Sequence, residues 1–240
     1  MTPLVLVHGF MGGAAQWARQ ASLGAERDII AVDLPGFGAK ADEPPLERMD
    51  DFAAAVLDDL NRLGITAFDL LGHSMGGMIV QDIVRLEPAR VRKLVLYGTG
   101  ATGVLPGRFE TVATSIARAR QDGPHATARR IAATWFLKGS EDPEYKACAA
   151  ISEKATLNAI IDGLRAMQDW SGEAHLPSIS QATQVLWGDA DRTYAWPQNA
   201  TLWKTIPRSH LAVLPNCAHA VHLERSTLFN ALIDDFLKHD

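Results

Sequence analysis

Cysteine is scarce in this 240-residue chain, which contains only Cys148 and Cys217. Two cysteines cannot form the disulfide framework of a small secreted domain. Metal-ligand spacings such as C-x-x-C and H-E-x-x-H are missing from the sequence, so we expect no metal site. A large excess of one charge is also lacking, because the formal net charge is only −5. This weakly acidic balance argues against nucleic acid and anionic membrane surfaces as partners.

Long hydrophobic runs are lacking as well. The first apolar run, Leu4 to Val7, is too short for a signal peptide or a membrane span, and no basic segment precedes it. We therefore expect a cytoplasmic protein without a membrane partner. What the chain does have is a hydrophobic content of 47%, which at this length predicts one large α/β domain with a substantial core.

Short apolar runs recur along the chain and predict β-strands. They are continuously apolar rather than alternating, which is typical of strands buried on both faces of a parallel sheet. Helical patterns separate them, so the sequence predicts a doubly wound, mostly parallel sheet flanked by helices. The predicted strands are Leu4–Val7, Asp28–Val32, Phe68–Leu71, Leu94–Tyr97, Gln184–Trp187 and Leu211–Leu214. The predicted helices are Ala14–Ser22, Met49–Leu63, Gly77–Leu86, Gln198–Ile206 and Arg225–Lys238.

The alternation of strand and helix breaks in residues 105–176. This block is almost wholly helical in pattern, with breaks at Gly123-Pro124 and Gly172. An all-helical block between two strands of a parallel sheet is expected over the carboxyl ends of the strands, where ligands bind. We predict an α/β core of residues 1–104 and 177–240 and a helical cap of residues 105–176. A separate helical domain is the alternative.

The pentapeptide Gly72-His73-Ser74-Met75-Gly76 fits the G-x-S-x-G nucleophile elbow. An apolar strand pattern precedes it and a helical pattern follows it, which is the context that this motif requires. The two glycines allow a strained turn that lifts the serine hydroxyl above the sheet. The motif therefore predicts Ser74 as a catalytic nucleophile.

A serine nucleophile needs a histidine base, and the base needs a carboxylate to hold its tautomer. His219 follows the last predicted strand and is favoured over His222, which lies nearer the final helix. Asp191 and Asp189 both follow the predicted strand Gln184–Trp187. We favour Asp191, because it lies further out and is better placed to reach the His219 loop. The order Ser, Asp, His is the one that this motif class uses.

An oxyanion hole of backbone N–H groups completes the predicted machinery. One donor is expected from Met75, directly after the nucleophile, and the other from Phe10 in the glycine-rich loop after the first strand. Cys217, two residues before His219, is a weaker candidate nucleophile. The predicted substrate-pocket residues are Met11, Trp135, Phe136 and Trp170, and cap arginines that could also line the pocket are Arg108, Arg118, Arg129, Arg130 and Arg165.

Taken together, these motifs resemble those of the α/β-hydrolase-fold enzymes. The matching segments are His8-Gly9-Phe10, Asp33 to Gly38, Gly72 to Gly76, Gly188 to Asp191, and His219 with Glu224. They cover nearly the whole chain in the family's order. The resemblance supports Asp191 as the acid and the helical block as a cap. Members usually begin with two further strands, so the resemblance implies a shortened sheet of about six strands.

The serine at the elbow favours acyl transfer to water, for which no cofactor is needed. Our first hypothesis is hydrolysis of small, largely apolar carboxylic esters or lactones through an acyl-enzyme. The second is cleavage of a carbon–carbon bond in a dienoate ring-cleavage product, and perhydrolysis is a further acyl-transfer chemistry. A ligand-sensing receptor that retains the triad belongs to another class. The expected partner is a small ester-like molecule, and the sequence does not predict the oligomeric state.

Overall fold

The computed structural model describes residues 2–104 and 110–239, and its centre is a parallel β-sheet. The strands are β1 (Leu4–Val7), β2 (Ile29–Val32), β3 (Phe68–His73), β4 (Val91–Tyr97), β5 (Ala182–Gly188) and β6 (Ser209–Leu214). They form one six-stranded sheet in the order β2-β1-β3-β4-β5-β6, and every neighbouring pair is parallel. The predicted sheet is confirmed.

Helices cover both faces of this sheet. The α-helices are α1 (Met49–Arg62), α2 (Met75–Leu86), α3 (Val112–Asp122), α4 (Pro124–Ala133), α5 (Tyr145–Ser152), α6 (Leu157–Gln168), α7 (Trp196–Thr205), α8 (Val221–Glu224) and α9 (Ser226–Lys238). The 3₁₀ helices cover Ala14–Ala25, Gly38–Lys40, Pro88–Arg90, Gly139–Glu141 and Glu173–Ser178. Among the described residues, no helix is both long and apolar enough to cross a lipid bilayer.

The first predicted helix forms as a 3₁₀ helix, Ala14–Ala25, rather than as an α-helix. Three of its four buried residues, Trp17, Gln20 and Leu23, recur at every third position, and Gln16 is the fourth. A 3₁₀ helix has three residues per turn, so this spacing places all three side chains on one face. The sequence predicted a helix over Ala14–Ser22, and the structure shows that this helix is of the 3₁₀ type and extends to Ala25.

Burial on two faces explains the continuously apolar strands. In β1, Val5 and Val7 belong to one core cluster, which also contains residues of α1 and α2. Leu4 and Leu6 belong to the other, which contains residues of α9 and of the first 3₁₀ helix. Successive side chains of a strand point to opposite faces, so a strand between two helical layers is apolar throughout.

The helices α3–α6 lie between β4 and β5 in the chain. Backbone hydrogen bonds join the two ends of this helical segment: Gly103 N donates to Trp170 O at 2.9 Å, and Gly172 N donates to Ala101 O at 2.8 Å. The predicted start of the cap at residue 105, like Arg108, lies outside the described residues. The division of the chain into core and cap stays a prediction.

Candidate active site

Ser74 stands between β3 and α2 in a strained backbone conformation, with φ of 56° and ψ of −120°. Positive φ is unfavourable for a residue with a side chain, so the surroundings must enforce it. Ser74 N donates to Tyr97 O at 3.0 Å, and Thr99 Oγ1 donates to Ser74 O at 2.8 Å. Tyr97 is the last residue of the neighbouring strand β4 and Thr99 lies two residues after it, so the end of β4 fixes the turn.

The two elbow glycines are required by close backbone contacts. A Cβ atom on Gly72 would lie 2.4 Å from Gly76 O, and one on Gly76 would lie 2.4 Å from Val7 O. Cβ atoms in proteins essentially never approach a backbone oxygen this closely. The glycines thus allow α2 to begin directly above β1 and β3, with Ser74 at the carboxyl edge of the sheet.

Asp191 and His219 meet at this same edge. His219 Nδ1 lies 2.8 Å from Asp191 Oδ2, and both side chains are buried. Asp191 Oδ1 accepts from Thr193 N at 2.7 Å and from Tyr194 N at 3.2 Å. Because a carboxylate only accepts, His219 Nδ1 carries the proton and Nε2 is left as the acceptor. This is the tautomer that a general base acting on a serine requires.

The rival candidates lie elsewhere. Asp189 is exposed, whereas Asp191 is the aspartate in contact with His219. His222 is buried and contacts Tyr97 Oη at 3.1 Å through Nδ1. The structure thus brings together Asp191 and His219, the aspartate and the histidine that the sequence favoured. The catalytic roles of these two residues stay proposals.

Gly98, which the sequence reasoning missed, packs directly against this pair. It follows β4 with a φ of 51°, and a Cβ atom on it would lie 3.2 Å from His219 Nδ1 and 3.5 Å from Asp191 Oδ2. The available signal was its position directly after the predicted strand Leu94–Tyr97. A glycine at the end of a central strand leaves room for groups that cross over the sheet edge.

Two further side chains hold the main chain of His219. Tyr97 Oη donates to His219 O at 2.7 Å, and His73 Nε2 lies 3.1 Å from the same carbonyl. Since a carbonyl only accepts, His73 Nε2 carries a proton. The Tyr97 hydroxyl has one proton, which it donates to His219 O. Tyr97 Oη therefore accepts from His222 Nδ1, and that nitrogen carries a proton. Burial lowers the pKa of His73 well below its usual value and that of His222 to about 3.

The predicted oxyanion donors occupy suitable backbone positions. Met75 is the first residue of α2, where an N–H group has no acceptor inside the helix. Phe10 follows Gly9, on which a Cβ atom would lie 3.0 Å from Ser74 Cβ. The loop after β1 therefore passes directly beside the serine. Met11, the next residue, is fully buried with a φ of 54°.

The predicted pocket residues divide into two groups. The Trp135 ring lies 6.4 Å from the His219 ring, centroid to centroid, and Phe136 beside it is fully buried. Trp170 instead donates from Nε1 to Asp82 at 2.9 Å and lines a charged cleft with Arg48 and Arg85. Tyr194, which the sequence reasoning missed, stacks on His219 at 5.6 Å.

Four of the described cap arginines pair with carboxylates of the same helical segment. The pairs are Arg118 with Glu110 at 3.0 Å, Arg130 with Glu110 at 2.9 Å, Arg165 with Asp162 at 3.5 Å, and Arg129 with Glu153. Arg118, Arg129 and Arg165 have side chains at least 47% exposed, so they stand in solvent rather than in a dry pocket.

Cys217 does not have the environment of a nucleophile. Its buried thiol donates to Leu214 O at 3.3 Å, and burial raises its pKa to about 12. A reactive cysteine needs a lowered pKa, because the thiolate is the nucleophile. The geometry therefore favours the serine over the thiol.

Comparison with known proteins agrees with this architecture. Residues 4–232 match the model of a family described as the alpha/beta hydrolase family. The chain belongs to the alpha/beta hydrolase family. The predicted fold class and the prediction of a hydrolase are thereby confirmed.

The names of this hydrolase's relatives describe different activities. It is 30% identical to a 2-hydroxymuconate semialdehyde hydrolase of Pseudomonas sp. strain CF600, with 98% of this chain and 86% of the relative covered. It is also 30% identical to the dihydrolipoyllysine-residue acetyltransferase component of the acetoin cleaving system of Pseudomonas putida. That match covers 99% of this chain, which spans 64% of the relative's length.

Among solved structures, a thermophilic esterase from Thermogutta terrifontis superimposes on this hydrolase with a TM-score of 0.89 at 26% identity. The match covers 99% of this chain and 90% of the esterase.

Proposed function

We propose that this hydrolase cleaves small carboxylic esters or lactones through an acyl-enzyme on Ser74. The observation that carries the proposal is the buried 2.8 Å hydrogen bond between Asp191 and His219, at the sheet edge where Ser74 stands on its strained turn. A histidine held in this tautomer by a buried carboxylate is suited to activating a serine hydroxyl.

In the proposed reaction, His219 Nε2 removes the Ser74 proton as Oγ attacks the substrate carbonyl carbon. The N–H groups of Phe10 and Met75 stabilise the resulting oxyanion. The tetrahedral intermediate then expels the alcohol, which takes the proton from His219. Water repeats the sequence on the acyl-enzyme, so its oxygen enters the carboxylic acid and Ser74 recovers its proton. Asp191 stabilises the imidazolium that forms in each step.

The choice of an uncharged ester or lactone is supported by the side chains around His219. The rings of Trp135 and Tyr194 lie beside its ring, and Arg118, Arg129, Arg130 and Arg165 pair with carboxylates of their own segment. An apolar lining with few polar groups suits an uncharged acyl group.

The second candidate is hydrolysis of a carbon–carbon bond in a dienoate ring-cleavage product. It is favoured by the 30% identity to the 2-hydroxymuconate semialdehyde hydrolase across 98% of this chain. Such a carboxylated substrate needs a cationic or polar partner. The same triad would serve both reactions, so substrate measurements must separate them.

The decisive experiment is labelling with a fluorophosphonate probe, followed by a panel of p-nitrophenyl esters, a lactone and a ring-cleavage dienoate. We expect stoichiometric labelling that Ser74→Ala abolishes and that Ser152→Ala retains, since Ser152 is a buried serine whose hydroxyl bonds to Cys148 O. Hydrolysis of esters or lactones should fall at least about 10³-fold in Ser74→Ala.

Three outcomes contradict parts of the proposal. Turnover of the dienoate alone would favour carbon–carbon chemistry. Labelling that survives in Ser74→Ala would exclude Ser74 as the nucleophile. A folded protein without labelling or turnover would favour the ligand-sensing receptor.

A further inference from the structure

Glu224 joins two segments that are far apart in the sequence. Its Oε1 accepts from Leu137 N at 2.7 Å, and its Oε2 accepts from Ala218 N at 2.7 Å. Leu137 follows α4 in the helical segment, whereas Ala218 directly precedes His219. Hydrogen bonds from N–H groups to a carboxylate are stronger than those between neutral partners. One side chain therefore ties the helical segment to the loop of the proposed base.

A second contact links the same two segments. Ala220 N donates to Trp135 O at 2.9 Å. Residues 135–137 thus lie alongside residues 218–220, with bonds on both sides of His219. Only 8% of Trp135 is exposed, and its ring is inclined at 52° to the His219 ring. These bonds therefore fix the position of the Trp135 side chain relative to His219.

Burial and neighbouring charges both oppose a carboxylate at position 224. Glu224 is the last residue of α8, and α9 begins two residues later at Ser226. Burial raises the pKa of Glu224, and the charges of Asp142 and Asp191 act in the same direction. The two N–H groups oppose this shift. The favourable contacts of the carboxylate are therefore those that bridge the two segments.

We infer that Glu224 is a positioning residue that fixes Trp135 against the His219 loop and thereby limits the size of the acyl group. The inference rests on the proposed function, because it concerns the pocket beside the same triad. Loosening the bridge lets Trp135 move away from His219, which opens space for a longer acyl chain. The effect is on the choice between substrates and not only on the overall rate.

Glu224→Gln tests this inference with little change of shape. The amide keeps one acceptor oxygen and turns an N–H donor toward a backbone N–H, so one of the two bonds is lost. We expect kcat/KM for p-nitrophenyl hexanoate relative to the acetate to rise about 5- to 20-fold. Glu153→Gln is the matched control, since Glu153 pairs with Arg129 in the helical segment and should leave the ratio unchanged.

A double-mutant cycle with Trp135→Leu identifies the route of the effect. If Glu224 acts through Trp135, the ratio in the double variant equals that in Trp135→Leu alone. Additive effects would overturn the inference. An equal fall in kcat/KM for both esters in Glu224→Gln would also overturn it, since a merely structural defect does not distinguish acyl chains.

Hydrogen exchange tests the bridge without any need for turnover. The amides of Leu137 and Ala218 are both protected by Glu224, so Glu224→Gln should speed exchange in both segments, while Glu153→Gln should not. Unchanged exchange would refute the bridge. If wild type neither labels with fluorophosphonate nor turns over an ester, the proposed function fails, and faster exchange still supports Glu224 as the link between the segments.

Discussion

At the scale of single residues, the main chain of His219 is as firmly held as its ring. The carbonyl accepts from Tyr97 Oη and from His73 Nε2, at 2.7 and 3.1 Å. The Tyr97 and His73 rings stack with centroids 4.4 Å apart. Tyr97 also accepts from the backbone N of His222 at 3.2 Å. The Tyr97 hydroxyl therefore orients the loop that carries His219, although these hydrogen bonds are with His219 O and with His222 rather than with the His219 ring.

We predict that Tyr97→Phe weakens both stability and turnover. The ring is retained, but the His219 carbonyl loses one donor and His222 loses its hydroxyl partner, so the free energy of unfolding should fall by about 1–3 kcal/mol. The kcat for esters should fall while KM changes little, because the base is misplaced and the pocket is intact. Urea unfolding and steady-state kinetics measure the two effects.

Tyr145→Phe is the control for this prediction. The Tyr145 hydroxyl donates to Arg129 O at 3.3 Å near the protein surface, away from His219. Its removal should leave kcat and the free energy of unfolding nearly unchanged. A Tyr97→Phe enzyme with wild-type kcat would show that the hydroxyl does not position the base.

At the scale of secondary-structure elements, the elbow depends on how closely α2 approaches β1. We predict that Gly76→Ala destabilises the protein by about 1–3 kcal/mol and abolishes fluorophosphonate labelling. The added methyl group would lie 2.4 Å from Val7 O and 2.6 Å from His8 O, so α2 must shift and carry Ser74 with it. Chemical unfolding and labelling of the folded fraction test both parts.

Gly24→Ala is the matched control at this scale. A Cβ atom on Gly24 would meet Ile29 Cγ1 at 3.5 Å, which is an ordinary contact. This variant should change the free energy of unfolding by less than about 0.5 kcal/mol and retain labelling. Full labelling of Gly76→Ala would contradict the close packing of the elbow.

The strands were predictable because each one is a short apolar run between polar residues. Leu4–Val7 was predicted with the bounds that β1 has, and Leu211–Leu214 falls inside β6. A helix over Ala14–Ser22 was predicted but its 3₁₀ type was not, because a three-residue repeat and an α-helical repeat are nearly alike over a short stretch. Element type in short segments is decided by packing, which the sequence shows only indirectly.

The positions of Ser74, Asp191 and His219 were predictable because parallel strands end at one edge of the sheet. Loops that follow those ends must meet there. Tyr97 and Tyr194 were missed because their contacts to His219 depend on which loops cross, and Tyr97 contacts a carbonyl 122 residues away. Trp170 was predicted from the apolar face of a helix, a pattern that does not reveal its bond to Asp82.

At the scale of the whole molecule, three buried histidines, His8, His73 and His222, lie in surroundings that disfavour their charged form. Burial lowers the pKa of His8 to about 4 and that of His222 to about 3, and it lowers the pKa of His73 in the same direction. His8 Nδ1 donates to Gly9 O while its Nε2 accepts from Leu34 N, so its neutral tautomer satisfies both nitrogens. Protonation would break this arrangement.

We predict that the free energy of unfolding falls as the pH decreases from about 6.5 to about 4. In the unfolded chain these histidines have an ordinary pKa near 6.5 and bind protons below it, whereas in the folded protein they stay neutral down to their lowered pKa. The unfolded state therefore binds more protons in this window. Each histidine contributes a slope of up to about 1.4 kcal/mol per pH unit. The raised pKa values of Asp69 and Glu224 act in the opposite direction and reduce the total.

Urea unfolding at pH 7, 6 and 5 measures this slope directly. His222→Gln removes one buried titrating group and should lower the slope by up to about 1.4 kcal/mol per pH unit, whatever its effect at neutral pH. His125→Gln is the control, because His125 is exposed on α4 and should leave the slope unchanged. A wild-type slope equal to that of His222→Gln would mean that His222 accepts a proton without unfolding. In that case the neutral tautomer of His222, with its hydrogen bond from Nδ1 to Tyr97 Oη, would not hold the loop of the base as described.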